Sequence, residues 1–220
     1  MIDSYSKHAY GFDDLVKLVR ILRASDGCPW DRVQTHSSIR RNFIEEVYEA
    51  CEAIDTGDAD SLREELGDVL LHVVFHAGIE SDAGRFTIDD VCDTVVKKMI
   101  SRHPALFGGD ASLSWDELKR QEKGLRTLSE ELSSVARSLP ALWRAEKLQN
   151  KAEAAYPVSA GLPTAEAVLA SSDPEQAVGD LLYSAVCLAR KTGVDPEHAL
   201  HKRCDALLIQ ARREESGQEI

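Results

Sequence analysis

From Arg41 to Ala77 the chain runs through NFIEEVYEACEAI, a short turn at TGD, and SLREELGDVLLHVVFHA. Apolar residues recur there three and four positions apart, a period that fits helices and not strands. One predicted stripe passes through Ile39, Phe43, Val47, Ala50 and Ile54, the other through Leu62, Leu66, Val69 and Val73. Acids accompany both. Glu46 and Glu49 are three apart and Glu45 and Glu49 four apart, and Glu65 and Asp68 repeat the shorter spacing, so each pair shares a helix face. A hairpin of the two helices brings Glu46, Glu49, Glu65 and Asp68 together at the edge of the core. Gly67, inside the second pair, allows close backbone approach at a helix-propensity cost of about 1 kcal/mol.

Several carboxylates held together repel one another unless they share protons or a cation. An all-oxygen donor set suits Mg²⁺, with Mn²⁺ as a substitute, and argues against a structural zinc site built on His and Cys. The competing reading is a solvated acidic helix face. His72 and His76 follow Asp68 at one-turn intervals and read either as groups supporting the acids or as core histidines satisfied by hydrogen bonds.

At 220 residues with a net charge of −12, the chain has room for one large or two small domains, and nucleic acid polymers or anionic membranes are poor partners. No apolar run approaches the roughly 20 residues of a membrane span, and MIDSYSKHAYGF lacks a signal-like core, so the expected location is cytoplasmic. Five unpaired-looking cysteines agree with a reducing compartment. Cys51, Cys92 and Cys187 fall in helical patterns and read as core residues.

An opening helix is predicted over Phe12–Arg23, ended by SDGCPWD. Trp30 in that loop reads as a cover for the core or as an aromatic wall for a base. Thr35 or Ser37 can cap the next helix. A further helix from about Asp89 to His103 presents Lys98 and Arg102, four apart and able to face one phosphate, before Pro104 stops it. A helix over SLPALWRAEKLQNKAEAAY and two more, Glu175–Lys191 and Pro196–Glu214, complete an all-α chain. The later half echoes the earlier: Glu65-Leu-Gly-Asp68 becomes Ala177-Val-Gly-Asp180, and His72 and His76 become Ser184 and Leu188. The scaffold repeats while the acid pair does not, which concentrates the chemistry in the first half.

CPWD at Cys28–Asp31, QTH at Gln34–His36, EEVYE at Glu45–Glu49, EELGD at Glu64–Asp68 and KMISRHP at Lys98–Pro104, in that order, resemble the MazG family of nucleoside triphosphate pyrophosphohydrolases, whose hallmark is EExxE followed by ExxD. The resemblance implies tandem MazG-like helical bundle domains assembled as a homodimer: a catalytic domain over 1–108, a linker and connecting helix over 109–134, and a degenerate second domain over 135–220. It also implies Mg²⁺-dependent hydrolysis of NTP or dNTP to nucleoside monophosphate and pyrophosphate, serving nucleotide-pool sanitation. Glu46, Glu49, Glu65 and Asp68 would be metal ligands, and Glu45 would assist a second ion or orient water. Lys98 and Arg102 would contact phosphate, and Trp30 would lie near the base. Ser101, Ala105 and Leu106 depart from the usual RRHPHVF pattern. The alternative from another class is a helical scaffold that has lost catalysis.

Overall fold

The computed structural model describes residues 9–108, 112–157 and 163–215, which form helices and, among the described residues, no strand. They divide into two compact units, Met1–Ser112 and Leu113–Ile220.

The first unit opens with α1, Phe12–Arg23, whose acids Asp13 and Asp14 lie in the first turn and whose bases Arg20 and Arg23 lie in the last, each sign opposing the helix dipole. The chain then turns back at Gly27. A Cβ there would fall 2.3 Å from the Ile21 carbonyl oxygen and 2.5 Å from that of Leu22, so no larger residue fits without moving the backbone. A 3₁₀ turn, Asp31–Val33, leads to α2, His36–Thr56. Thr35 caps α2 by accepting from the Ser38 amide, while the Ser38 hydroxyl accepts from the Thr35 amide at 2.9 Å. Gly57, at φ 70°, ends α2, and Asp58 accepts from the amides of Asp60 and Ser61 to start α3, Ala59–Asp82. Thr87 caps α4, Ile88–Ser101, and Pro104 occupies the first turn of α5, Pro104–Phe107.

The core joins Val19 of α1, Ile39 of α2, and Val74 and Phe75 of α3, with Leu15, Val16, Leu71, Ile79 and Ile88 packed around them. Both α1 and α2 lie on α3, which makes α3 the central wall. Here the expected stripes need correction. Ile39 and Ala50 are buried, but Val47 and Ile54 are 40% and 60% exposed, and Ala53 takes the buried position instead. On α3, Leu66 is 53% exposed. The reason is that α2 and α3 meet along polar rows: Phe43 packs against the rings of His72 and His76, and His36 bonds to His76 and Glu80. Gly67 also serves no close approach, because nothing among the described residues lies within 4 Å of a Cβ placed there. Of the three cysteines assigned to the core, Cys187 is buried while Cys51 and Cys92 are exposed. Cys51 is one residue, about 100° around the helix, from the buried line through Ala50 and Ala53.

The second unit contains α6, Trp115–Glu122; α7, Leu128–Ser133; α8, Ala141–Ala152; α9, Ala165–Leu169; α10, Pro174–Thr192; and α11, Pro196–Glu215. Val135, Ala152, Val186 and Cys187 are buried with Gln149, whose side-chain amide donates to the Tyr183 carbonyl at 2.7 Å. Trp143 donates to the Asp195 carboxylate at 3.2 Å, and Arg190 pairs with Glu153. Among the described residues, no helix is long and apolar enough to cross a membrane.

Candidate functional site

The facing rows of α2 and α3 bring one carboxylate oxygen from each of Glu46, Glu49 and Glu65 within 4.8 Å of the other two. Glu46 and Glu65 are half-buried, and Glu49 is exposed. Asp68, three residues beyond Glu65 and also half-buried, is close enough to act electrostatically on both Glu46 and Glu65. The charge of Glu49 acts on both Glu46 and Glu65. Carboxylates approach that closely with a shared proton or a bridging cation between them. Burial, followed by the charges of Asp68, Glu49 and Glu65, pushes the Glu46 carboxyl above its ordinary 4.5. Burial, then Glu49, Glu64 and Asp68, does the same to Glu65. No ion pair among the described residues neutralises the four acids.

These donors fit a hard divalent ion. Magnesium holds oxygens at about 2.0–2.1 Å, so opposed ligands stand roughly 4.2 Å apart, within the span that the three oxygens already occupy. Among the described residues, no other group of three acidic, His or Cys side chains has this closeness.

The remaining sequence candidates differ in their surroundings. Glu45 is exposed on α2 and accepts from Arg41 at 2.8 Å. Lys98 and Arg102 are half-buried at the end of α4, and no ion pair among the described residues joins them to the four acids. Trp30 does not cover the core: the residue is 61% exposed. Its backbone, however, is tied down. The Trp30 carbonyl accepts from the Gln34 side chain at 2.9 Å, and the buried Arg23 guanidinium donates to the carbonyls of Asp31 and Gln34 while pairing with Asp82 at 2.8 Å. Arg23 also lies over the Phe75 ring, 5.0 Å from its centroid.

Sequence reasoning missed a second cluster one helix segment away. His36 Nδ1 lies 2.7 Å from His76 Nδ1, His36 Nε2 lies 2.5 Å from Glu80 Oε1, and Glu80 also pairs with Arg85. Arg85 and then His36 hold the Glu80 carboxyl down at about 2. His72, one turn from Asp68, has a buried Nδ1 with no partner among the described residues. Extending the α3 row from Asp68 through His72 and His76 by one more turn points to Glu80, and the QTH motif supplies His36.

Among the described residues, the second unit holds no such cluster of acids. Asp180 on α10 accepts from Gln176 at 2.9 Å, in the same helix, and the preceding helix α9 spans 5 residues where α2 spans 21.

The profile of the MazG nucleotide pyrophosphohydrolase domain matches residues 34–107, the segment holding α2 to α5 and all four acids. Over 205 residues the chain is 42% identical to the nucleoside triphosphate pyrophosphohydrolase/pyrophosphatase MazG of Thermotoga maritima, covering 87% of this chain and 80% of that protein. It is 34% identical over 214 residues to the nucleoside triphosphate pyrophosphohydrolase of Escherichia coli, covering 86% and 81%. With the enzyme of that name from Mycolicibacterium smegmatis it shares 44% identity over 166 residues, 72% of this chain and 49% of the relative. The acid-lined helix pair and these near full-length likenesses agree: the chain belongs to the MazG nucleotide pyrophosphohydrolase family.

Proposed function

We propose that this protein hydrolyses nucleoside triphosphates, NTP or dNTP, at the α,β linkage to nucleoside monophosphate and pyrophosphate, as a cytoplasmic, homodimeric enzyme of nucleotide-pool sanitation. The observation that carries the proposal is the meeting of Glu46, Glu49 and Glu65 within 4.8 Å of one another on a helix pair matched by the family profile. Glu46, Glu49, Glu65 and Asp68 hold Mg²⁺ or Mn²⁺ in this reading. A divalent ion bound there supplies neutralisation of phosphate oxygens and a more acidic water. Lys98 and Arg102 bring positive charge to the phosphates from α4, which a chain of net charge −12 needs locally to hold a polyanion. Trp30 offers its exposed indole to the base from an anchored backbone. Glu45, once turned from Arg41, orients water or assists a second ion. The second unit is a degenerate copy that stabilises, shapes or regulates the first.

Pairing of two chains is supported by an apolar hollow of about 370 Å³ lined by Val95, Val96, Met99, Ile100, His103, Leu106 and Phe107. The activity is tested by incubating purified protein with a panel of NTPs and dNTPs, canonical and oxidised, with and without Mg²⁺. Monophosphate and pyrophosphate should form from at least one substrate, and only with divalent metal. Nucleoside diphosphate and orthophosphate as first products, or no turnover across the panel, would overturn the reading and favour a scaffold.

A further inference from the structure

We propose that His36 is a positioning residue for the cation site, bracing α2 against α3 through His76 and Glu80 so that the acid rows stay at ligating distance. The proposal rests on the reading of the four acids as a metal site. Its basis is the hydrogen-bond chain itself. The Glu80 carboxylate, held ionised by Arg85, can only accept, so His36 must donate to it from Nε2. In a neutral His36 ring, Nδ1 is then the acceptor. The Nδ1–Nδ1 contact of 2.7 Å therefore requires His76 to donate from Nδ1. Burial, with His36 and His72 nearby, holds His76 below its ordinary 6.5, which keeps that ring neutral as the arrangement demands. The two ring planes lie 9° apart with centroids 5.0 Å apart, as an in-plane bond between the Nδ1 atoms requires, and Phe43 of α2 meets His76 edge-on at 5.6 Å.

The mechanical logic follows from where these groups stand. His36 begins α2, ten residues or about 15 Å before Glu46, and Gly57 and Asp58 join the far end of α2 to α3. Between the two ends, like charges on Glu46, Glu49, Glu65 and Asp68 push the helices apart. The turn restrains one end, and the His36 chain restrains the other. His36 also adjoins the Thr35 cap and Gln34, whose carbonyl accepts from Arg23, so the same brace steadies the loop that carries Trp30.

The test compares full-length wild type with His36→Gln and His36→Phe. A glutamine amide can donate to Glu80 and accept from His76, whereas phenylalanine keeps the ring and loses both bonds. Mn²⁺ binding by calorimetry should weaken by about 10-fold or more in His36→Phe and stay within about threefold of wild type in His36→Gln, the scale of effects outside the direct ligands. KM for the metal–nucleotide complex should rise with the loss of affinity, while kcat changes less. In ¹⁵N-histidine spectra of the wild type near pH 8, His36 should be the Nε2–H tautomer and His76 the Nδ1–H tautomer. A folded His36→Phe with wild-type Mn²⁺ affinity, a His36→Gln as weak as the phenylalanine variant, or Nε2–H on both rings would overturn the proposal. If His36→Phe does not fold, the glutamine variant and the tautomers decide. Mn²⁺ binding and tautomers are read without turnover, so wild type that binds Mn²⁺ but cleaves no nucleotide loses the proposed function and keeps the brace. Wild type that binds no Mn²⁺ overturns both.

Discussion

Glu49 is the acid within reach of both Glu46 and Glu65, so its charge is placed to tie the two helices to one cation. Replacing it by Gln keeps its volume and removes that charge, and Asp68→Asn does the same on α3. Each substitution should lower turnover at saturating Mg²⁺ and nucleotide by at least the roughly 10 to 100-fold typical of groups one shell further out. Asp180→Asn should do far less, because its neighbour is Ala177 and its carboxylate already accepts from Gln176. Loss of activity in folded Asp180→Asn with Asp68→Asn intact would place the active half wrongly. Without metal the crowding has a cost of definite sign. A carboxyl whose folded pKa lies above its unfolded value binds more protons when folded, so stability falls as pH rises through that window and the deficit persists at neutral pH. Glu46 is in that position, raised from 4.5 by burial and by its neighbours. In chelator, Glu46→Gln should therefore melt above wild type at pH 8 and lose this advantage toward pH 4.5; an advantage that grows on acidification contradicts the assignment. Glu80 has the opposite sign: its contribution is full above pH 4.5 and is lost as pH falls toward about 2. The closeness of Glu46 to Glu49 was legible in the sequence because i,i+3 spacing fixes a shared face within one helix. The His36–Glu80 contact was not, since partners 44 residues apart are chosen by how helices cross.

At the scale of elements, local chemistry marked the ends of helices well and their faces less well. The opening helix falls over Phe12–Arg23 as predicted, and Thr35 is the cap of α2, because caps and breakers act on backbone groups a few residues away. The buried faces of α2 and α3 were read only in part, Val47, Ile54 and Leu66 being exposed, because an apolar period assumes that helices meet through oil, and these two meet through Glu46, Phe43, His72, His76 and Glu80. Two substitutions measure how much the ends matter. Thr35→Ala should cost about 1 kcal/mol in thermal or denaturant unfolding, since the amide of Ser38 loses its acceptor. Gly27→Ala should cost about 1–3 kcal/mol, the scale of overpacking, because its methyl would meet two carbonyl oxygens of α1. An unchanged melting temperature for Gly27→Ala would mean that the turn after α1 is not tightly closed.

For the whole molecule, the cluster of acids and the family match over residues 34–107 both fall within the first of two units with related sequence patterns. Exposed Val95, Val96, Met99, Leu106 and Phe107 on α4 and α5 leave an apolar surface that pairing would cover. Light scattering of the active protein should give about twice the chain mass of 24.3 kDa; a fully active species of one chain mass removes the dimer from the reading. The three tryptophans are also unequally shared: Trp115 and Trp143 belong to the second unit and Trp30 to the first. Gln34 holds the Trp30 carbonyl and Arg23 the next one, that of Asp31, while Trp30 as a residue is 61% exposed. With the other two replaced by phenylalanine, the emission of Trp30 becomes a built-in optical gauge of the first unit, in which stacking of a nucleobase would register as quenching before any bond is cut.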